Sequence, residues 1–254
     1  MPINFTQLFK DSWHFLQNER KFAFAFVIIF VLVSAGFGLL QQAIFPVPEN
    51  MEPLNEQQQM DMLLQQSSDL TFLWFTLAKG LATLFIVYWG TMTVHQISQR
   101  QSQGFVQTAV MTFNRLLGII LLNILCFLPF FIGVIGTIAG ALSQSSLSFI
   151  SLFLMISGIF ILIRLCLSPV RYLLTNESVK SALQNSLISA KGRTSALFFY
   201  CTISYLFFPL VGFQLAVLAQ NLLLTIVALV IISLINVFSI VFTYRFYTVF
   251  NQQA

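Results

Sequence analysis

The stretch that decides the fold is FAFAFVIIFVLVSAGFGLL, Phe22–Leu40, nineteen residues without a charge, entered directly from Arg20 and Lys21. At about 1.5 Å of rise per residue, a helix of that length crosses the roughly 30 Å hydrocarbon core of a bilayer. The rest of the chain repeats this event: a long apolar run, a short polar interruption, another apolar run. Composition excludes a soluble fold. The 254 residues are 57% hydrophobic and 8% charged, where soluble domains carry about 25% charged residues and need them to cover a core. The pI near 9.1 does not point to nucleic acid. The basic residues lie at the ends of apolar runs, and are not gathered into a patch between aromatics.

Six spans follow from this pattern, at about 22–40, 71–94, 116–142, 149–167, 196–215 and 222–244. The fold class is all-α, a polytopic membrane helix bundle with amphipathic interfacial helices. The whole chain, 1–254, reads as a single integral membrane domain. Before the first span, Phe5, Leu8, Phe9, Trp13 and Leu16 recur at helical spacing among polar residues, as in a helix lying in the headgroup plane. The apolar run after it is longer than a signal-peptide core and is preceded by acids, which favours an uncleaved anchor.

Gln41–Leu70 is the longest polar stretch, with Glu49, Glu52, Glu56, Asp61 and Asp69 and no Lys or Arg. Its prolines predict an extended first half, and Asn55–Ser68 reads as a Gln-rich helix. Eleven of the twelve basic residues fall at the opposite ends of the spans, the exception being Lys79. The positive-inside rule then places both termini in the cytoplasm and this loop outside. Two more interfacial helices are expected, one carrying Phe105, Val106, Ala109 and Phe113, the other Val179, Leu183, Leu187 and Ala190. Each interfacial helix would precede a pair of spans, a weak internal repeat. The second and third units share a proline followed by glycine, at Pro129–Gly133 and Pro209–Gly212.

Several short runs carry a resemblance along the whole chain. They are Phe5-Thr-Gln-Leu-Phe-Lys-Asp11, Asn55-Glu-Gln-Gln-Gln59 continuing to Leu63-Leu-Gln-Gln66, Leu167-Ser-Pro-Val170 leading into Ser181-Ala-Leu-Gln-Asn-Ser186, and Tyr244-Arg-Phe-Tyr247. In these the chain resembles the YciC-like family of bacterial inner-membrane proteins, whose function is not established. The resemblance implies a multi-pass inner-membrane location in a two-membrane bacterium. It carries over no catalytic or binding residues.

The candidate positions rest on physics alone. Lys79 sits about eight residues into its span, and an ionised lysine near the bilayer centre costs at least about 2.5–3.5 kcal/mol unless it snorkels or finds a partner. No Asp or Glu lies in any span, so an intramembrane ion pair is excluded. Three readings remain: snorkelling toward Asp69 and the acidic outer loop, a polar contact with Asn123, Gln214 or Asn236, or a substrate or ion pathway. Arg164, near a span end, is expected to reach the interface. Gly136 and Gly140 match the small-residue spacing of close helix contact. Pro129 and Pro209 read as ordinary kinks, with the discontinuous helices of transporters as the alternative. Cys126, Cys166 and Cys201 have no metal-ligand spacing and read as small buried hydrophobes.

No hydrolase, metalloprotease or nucleotide-binding signature is present, so no enzyme, cofactor or metal is expected. The expected partners are the lipid bilayer and other membrane proteins, with no nucleic acid; the sequence leaves oligomeric state open. Two function classes remain: a non-catalytic protein of envelope organisation or a partner subunit, and a small transporter or channel. A polar cavity leading to Lys79 favours the second. A bundle packed dry around Gly136 and Gly140 favours the first.

Overall fold

The computed structural model describes residues 3–45, 69–101, 104–142, 149–219 and 221–252. Among them every regular element is helical, and six helices are long and apolar enough to cross a membrane. The expected all-α multi-pass architecture is present. The expectations for residues 46–68 of the acidic loop fall outside the described set.

Helix α1, Phe5–Asn18, begins where the Asn4 side chain accepts the Gln7 N–H at 3.1 Å. Glu19 alone separates it from α2, Arg20–Ile44. Helix α3, Leu70–Ser98, starts under an Asp69 cap that accepts the Thr71 N–H at 2.8 Å. Helix α4, Phe105–Leu142, and α5, Phe149–Leu165, form a hairpin. Pro169 fits the first turn of the short α6, Ser168–Leu174, where its missing N–H costs no helical bond. Ser178 caps α7, Val179–Ala190, which ends before Gly192 at φ +79°, a backbone region where glycine carries no Cβ penalty. Helix α8, Thr194–Cys201, passes through a wider turn at Thr202–Phe207 into α9, Phe208–Leu218. Helix α10, Leu222–Gln252, closes the chain.

Packing is concentrated at one end of the bundle, where the termini and most basic residues lie. In α10 the first six residues are exposed, while Val237, Ile240, Val241, Phe242, Tyr244 and Phe246 are buried in succession. A helix buried on all sides is a hub, and α10 touches α1, α2, α3, α6 and α9. On α2, Phe22, Phe26 and Phe30 lie one turn apart and pack with Val94, Val237 and Tyr244. Tyr200 stacks on Phe246 at 4.4 Å between ring centroids, with planes 9° apart, and Phe9 lies 5.0 Å from Phe242. Each such pair adds about 0.5–1.5 kcal/mol beyond area burial. In a bilayer, where apolar contact with lipid is no penalty, this close packing is what holds helices together.

Three expectations are corrected here. The apolar face of α1 does more than meet lipid: Phe5 and Phe9 enter the aromatic cluster of α9 and α10, and only Trp13 points away. The second interfacial helix is not separate, because α4 runs unbroken from Phe105 through Pro129; without it the threefold repeat is incomplete. Its start is held by the Trp89 indole N–H, 3.1 Å from the Phe105 carbonyl and 3.0 Å from Thr108 Oγ1. On α7 the buried face is the small one, Ala182, Ser186 and Ala190, while Leu187 and Ile188 face outward. Small residues let α7 approach the bundle closely, and its large side chains are left for lipid.

The α4–α5 hairpin is packed at backbone distance. A Cβ on Gly158 would collide with the main chain of Pro129 and Phe130, and one on Gly133 with the main chain of Met155. Glycine at these positions is required by the approach of the two helices. Gly38 on α2 has open space beside it. Alanine at Gly38 is therefore expected to raise stability by up to about 1 kcal/mol through helix propensity. Alanine at Gly158 should lower it by about 1–3 kcal/mol through overpacking. Denaturation of both variants in detergent, read by far-ultraviolet circular dichroism, checks the opposite signs.

Candidate functional site

The packed end gives way to a chamber at the level where the helices part. Its volume is about 600 Å³, within the roughly 300–1,000 Å³ of small-molecule sites. Helix α3 supplies one wall, with Thr76, Lys79, Gly80, Thr83 and Thr91 recurring at helical spacing along one face. Asn123 of α4, Cys166 and Val170 of the α5–α6 region, Ser204 and Tyr205 of the wide turn, and Ser239 and Thr243 of α10 complete it.

The mouth and the floor differ in exposure. Thr76, Lys79, Gly80 and Thr83 are exposed, whereas Tyr88, Thr91, Cys166 and Tyr200 are buried. Nine residues separate Lys79 from Tyr88, so the floor lies roughly 13 Å deeper along α3. The floor is tied together by hydrogen bonds. Asn123 Nδ2 lies 3.1 Å from the Tyr88 hydroxyl and 2.8 Å from the Ile119 carbonyl, and the Tyr200 hydroxyl donates to Thr243 Oγ1 at 3.2 Å. Beneath it the Tyr200–Phe246–Phe242 stack closes the route to the packed end.

Lys79 is the one charged residue in the chamber wall. Among the described residues its side chain has no hydrogen-bond or ion-pair partner; the single ion pair there joins Arg171 to Glu177. Snorkelling toward the acidic loop falls on residues outside the described set, and among the described residues no ion pair joins Lys79 to Asp69. Asp69 lies ten residues and roughly 15 Å away along the helix, and one of its oxygens caps the Thr71 N–H. Of the three proposed polar contacts, Asn123 shares the chamber, while Gln214 and Asn236 do not line it. Open space beside Gly80 leaves room for water around the ammonium. Water supplies the solvation that an intramembrane lysine otherwise lacks.

The other candidate positions lie away from Lys79, on α4 and α9. Gly136 meets Ser151, whose Cβ lies 3.0 Å from a glycine Cβ position, and Gly140 sits one turn further along α4. The closest contacts of this hairpin come from Gly133 and Gly158, which the Gly136–Gly140 spacing did not single out. Pro129 leaves α4 continuous. Pro209 follows directly on the wide turn, where the Phe208 N–H bonds back to the Ile203 carbonyl five residues earlier. Such π-type turns accommodate a disturbed bonding ladder and recur at functional sites. This one places Ser204 and Tyr205 on the chamber. The three cysteines are buried, as expected of small hydrophobes.

At the packed end, arginines satisfy helix termini. Arg115 donates to the carbonyls of Tyr172, Leu173 and Thr175 at the end of α6, and to Asn176 Oδ1 at 2.6 Å. A cation there also complements the helix dipole. Arg164, expected to reach the interface, lies with its guanidinium 4.5 Å from the centroid of the Phe160 ring.

Six helices long and apolar enough to span a membrane, with α10 as the hub of the packed end, define a multi-pass all-α membrane protein. The chain is 32% identical over 253 residues to an uncharacterised protein of Haemophilus influenzae, an alignment covering 99% of this chain and 100% of that one. It belongs to the family of that protein. No protein-family profile matches the chain, and no solved structure matches it.

The Arg171–Glu177 pair gives a pH test outside the membrane. The hydrogen bonds from the Arg171 guanidinium hold the Glu177 carboxyl below its ordinary value of 4.5, against a smaller opposing effect of burial. A depressed carboxyl stabilises the fold above its unfolded pKa, and the contribution is lost as pH falls through the folded value. The wild type is therefore expected to lose stability on acidification below about pH 4.5. Glu177→Gln should flatten that slope in denaturation curves measured from pH 7 to pH 3. The effect is modest, because both side chains keep about a fifth of their surface exposed.

Proposed function

We propose that this protein is a non-enzymatic transporter-type membrane protein that takes a ligand into the Lys79 chamber. The observation that carries the reading is the chamber itself: a wall bearing hydroxyls, an amide and one cation without an ion-pair partner among the described residues, open beside Lys79 and closed beneath Tyr200. A bundle that only spaced its partners would have no need of an aqueous pocket among its helices. Lys79 has no acid or base beside it in the wall, which supports binding over catalysis.

The setting belongs to the same proposal. The resemblance to the YciC-like family supports an inner-membrane location, and the asymmetry of Lys and Arg supports cytoplasmic termini. The chamber would then open toward the outside of that membrane. A role in envelope organisation or as a partner subunit is the second reading, favoured by the dry contact of α4 and α5 at Gly133, Gly136 and Gly158.

Labelling from the outer side separates the two. With the native cysteines replaced, Lys79→Cys and Thr91→Cys in intact spheroplasts are expected to react with a membrane-impermeant thiol reagent, Thr91→Cys more slowly. Reaction confined to cysteines placed in Gln41–Leu70 would leave the chamber dry and return the scaffold reading to first place.

A further inference from the structure

A second cavity lies at the packed end, where α1 turns into α2 and meets the end of α3 and the start of α4. Its volume is about 250 Å³, far more than one water occupies. Glu19 and Lys21 line it from the α1–α2 junction, Gln96 from α3, and Gly104 and Phe105 from the start of α4. Gln96 lies seventeen residues, roughly 25 Å, from Lys79 along α3, so this site stands apart from the chamber.

The polar groups of this cavity are short of partners. Gln96 is 4% exposed, and its Oε1 has no donor among the described residues, while its Nε2 meets only the Met111 sulfur at 3.9 Å. Buried amides are ordinarily hydrogen-bonded, so this one points to a missing donor. Glu19 occupies the N-cap position of α2, yet its carboxylate caps nothing. Neither Glu19 nor Lys21 forms an ion pair among the described residues. On α4 the first bonds back to the Gly104 carbonyl come from the Gln107 and Thr108 N–H groups, at 3.0 and 3.2 Å, so those of Phe105 and Val106 precede the ladder. Such a helix start attracts an anion. The wall therefore offers acceptors without donors, Glu19 and Gln96, beside donors without acceptors, Lys21 and the start of α4.

The level in the membrane narrows the ligand. Arg20 and Lys21 stand directly before an uncharged span, so the cavity lies at the depth of lipid headgroups. We propose that it holds the head of a zwitterionic phospholipid with a primary ammonium, of the phosphatidylethanolamine type. The phosphodiester takes Lys21 and the first N–H groups of α4, and the ammonium donates to Glu19 and Gln96. These bonds are charge-assisted. One carboxylate and one ammonium in the wall match a ligand of no net charge. A glycerol-type anionic head would leave the Glu19 carboxylate without a countercharge. A choline head carries the charge but has no N–H to give to Gln96.

Native mass spectrometry of the delipidated full-length protein in detergent, titrated with dioleoyl phospholipids, tests this. Phosphatidylethanolamine is expected to bind about tenfold more tightly than phosphatidylcholine or phosphatidylglycerol, the worth of one charge-assisted bond. Glu19→Gln should abolish most of that preference. Asp11→Asn, which removes a carboxylate from α1 outside the cavity, should keep it. Gln96→Leu should narrow the gap to phosphatidylcholine. Equal affinity for the three lipids overturns the proposal, as does a preference that survives Glu19→Gln undiminished. Glycerophosphoethanolamine, the head without chains, is expected to compete only weakly. If it binds as tightly as the lipid, the ligand is a soluble zwitterion and the lipid assignment falls. None of these results bears on the Lys79 chamber.

Discussion

Everything else in this molecule depends on the burial of Val237–Phe250 on all sides of α10. Lipid surrounds apolar side chains as favourably as protein does, so helices associate only where their surfaces fit closely. That fit is supplied at one end, by Phe22, Phe26 and Phe30 from α2, Phe5 and Phe9 from α1, Val94 from α3 and Tyr200 from α8. Toward the other end α10 presents Leu222–Val227 exposed, and the helices are free to part. Closure below and separation above are two consequences of one distribution of packing residues.

The chamber follows from that separation, and hydroxyl and amide groups are spread through its largely apolar lining. Tyr88 and Asn123 satisfy one another across it, as do Tyr200 and Thr243, so the floor holds its polar groups without needing an acid. The spans contain no carboxylate at all. Coupling to protons through an intramembrane Asp or Glu has no residue to act through here. Charge recognition in the chamber falls to Lys79, which has no ion-pair partner among the described residues and lies next to the open space at Gly80.

The spans were legible in the sequence because hydropathy over twenty residues is a strong signal, and their limits agree with the helices to within a few residues for most. The exceptions are informative. Phe105–Phe113 reads as an amphipathic surface helix, yet it continues into its span, since nothing in Asn114–Leu117 breaks a helix. Val179, Leu183, Leu187 and Ala190 read as one apolar face of an interfacial helix, but the structure divides them: Ala190 packs inward with Ala182 and Ser186, whose size permits approach, and Leu187 is exposed. Lys79 was found by its charge. The stripe of Thr76, Lys79, Thr83 and Thr91 on one face of α3 was equally visible in the sequence, and it is the signal that marks the chamber wall. Tyr88, Tyr200 and Ser204 carried no such signal, because a lone hydroxyl in an apolar run is indistinguishable from one bonded to its own helix. Gly158 could not be told from Gly38 without knowing which backbone lay opposite.

Radiolytic hydroxyl-radical footprinting of the unmodified protein in nanodiscs reads whether water fills the chamber above its aromatic floor, because radicals form only where water is. Oxidation of Tyr88 and Tyr205 within the spans is expected, with Phe242 and Phe246 beneath the floor untouched. Oxidation confined to residues outside the six spans would contradict it, and so would oxidation of Phe246 equal to that of Tyr88.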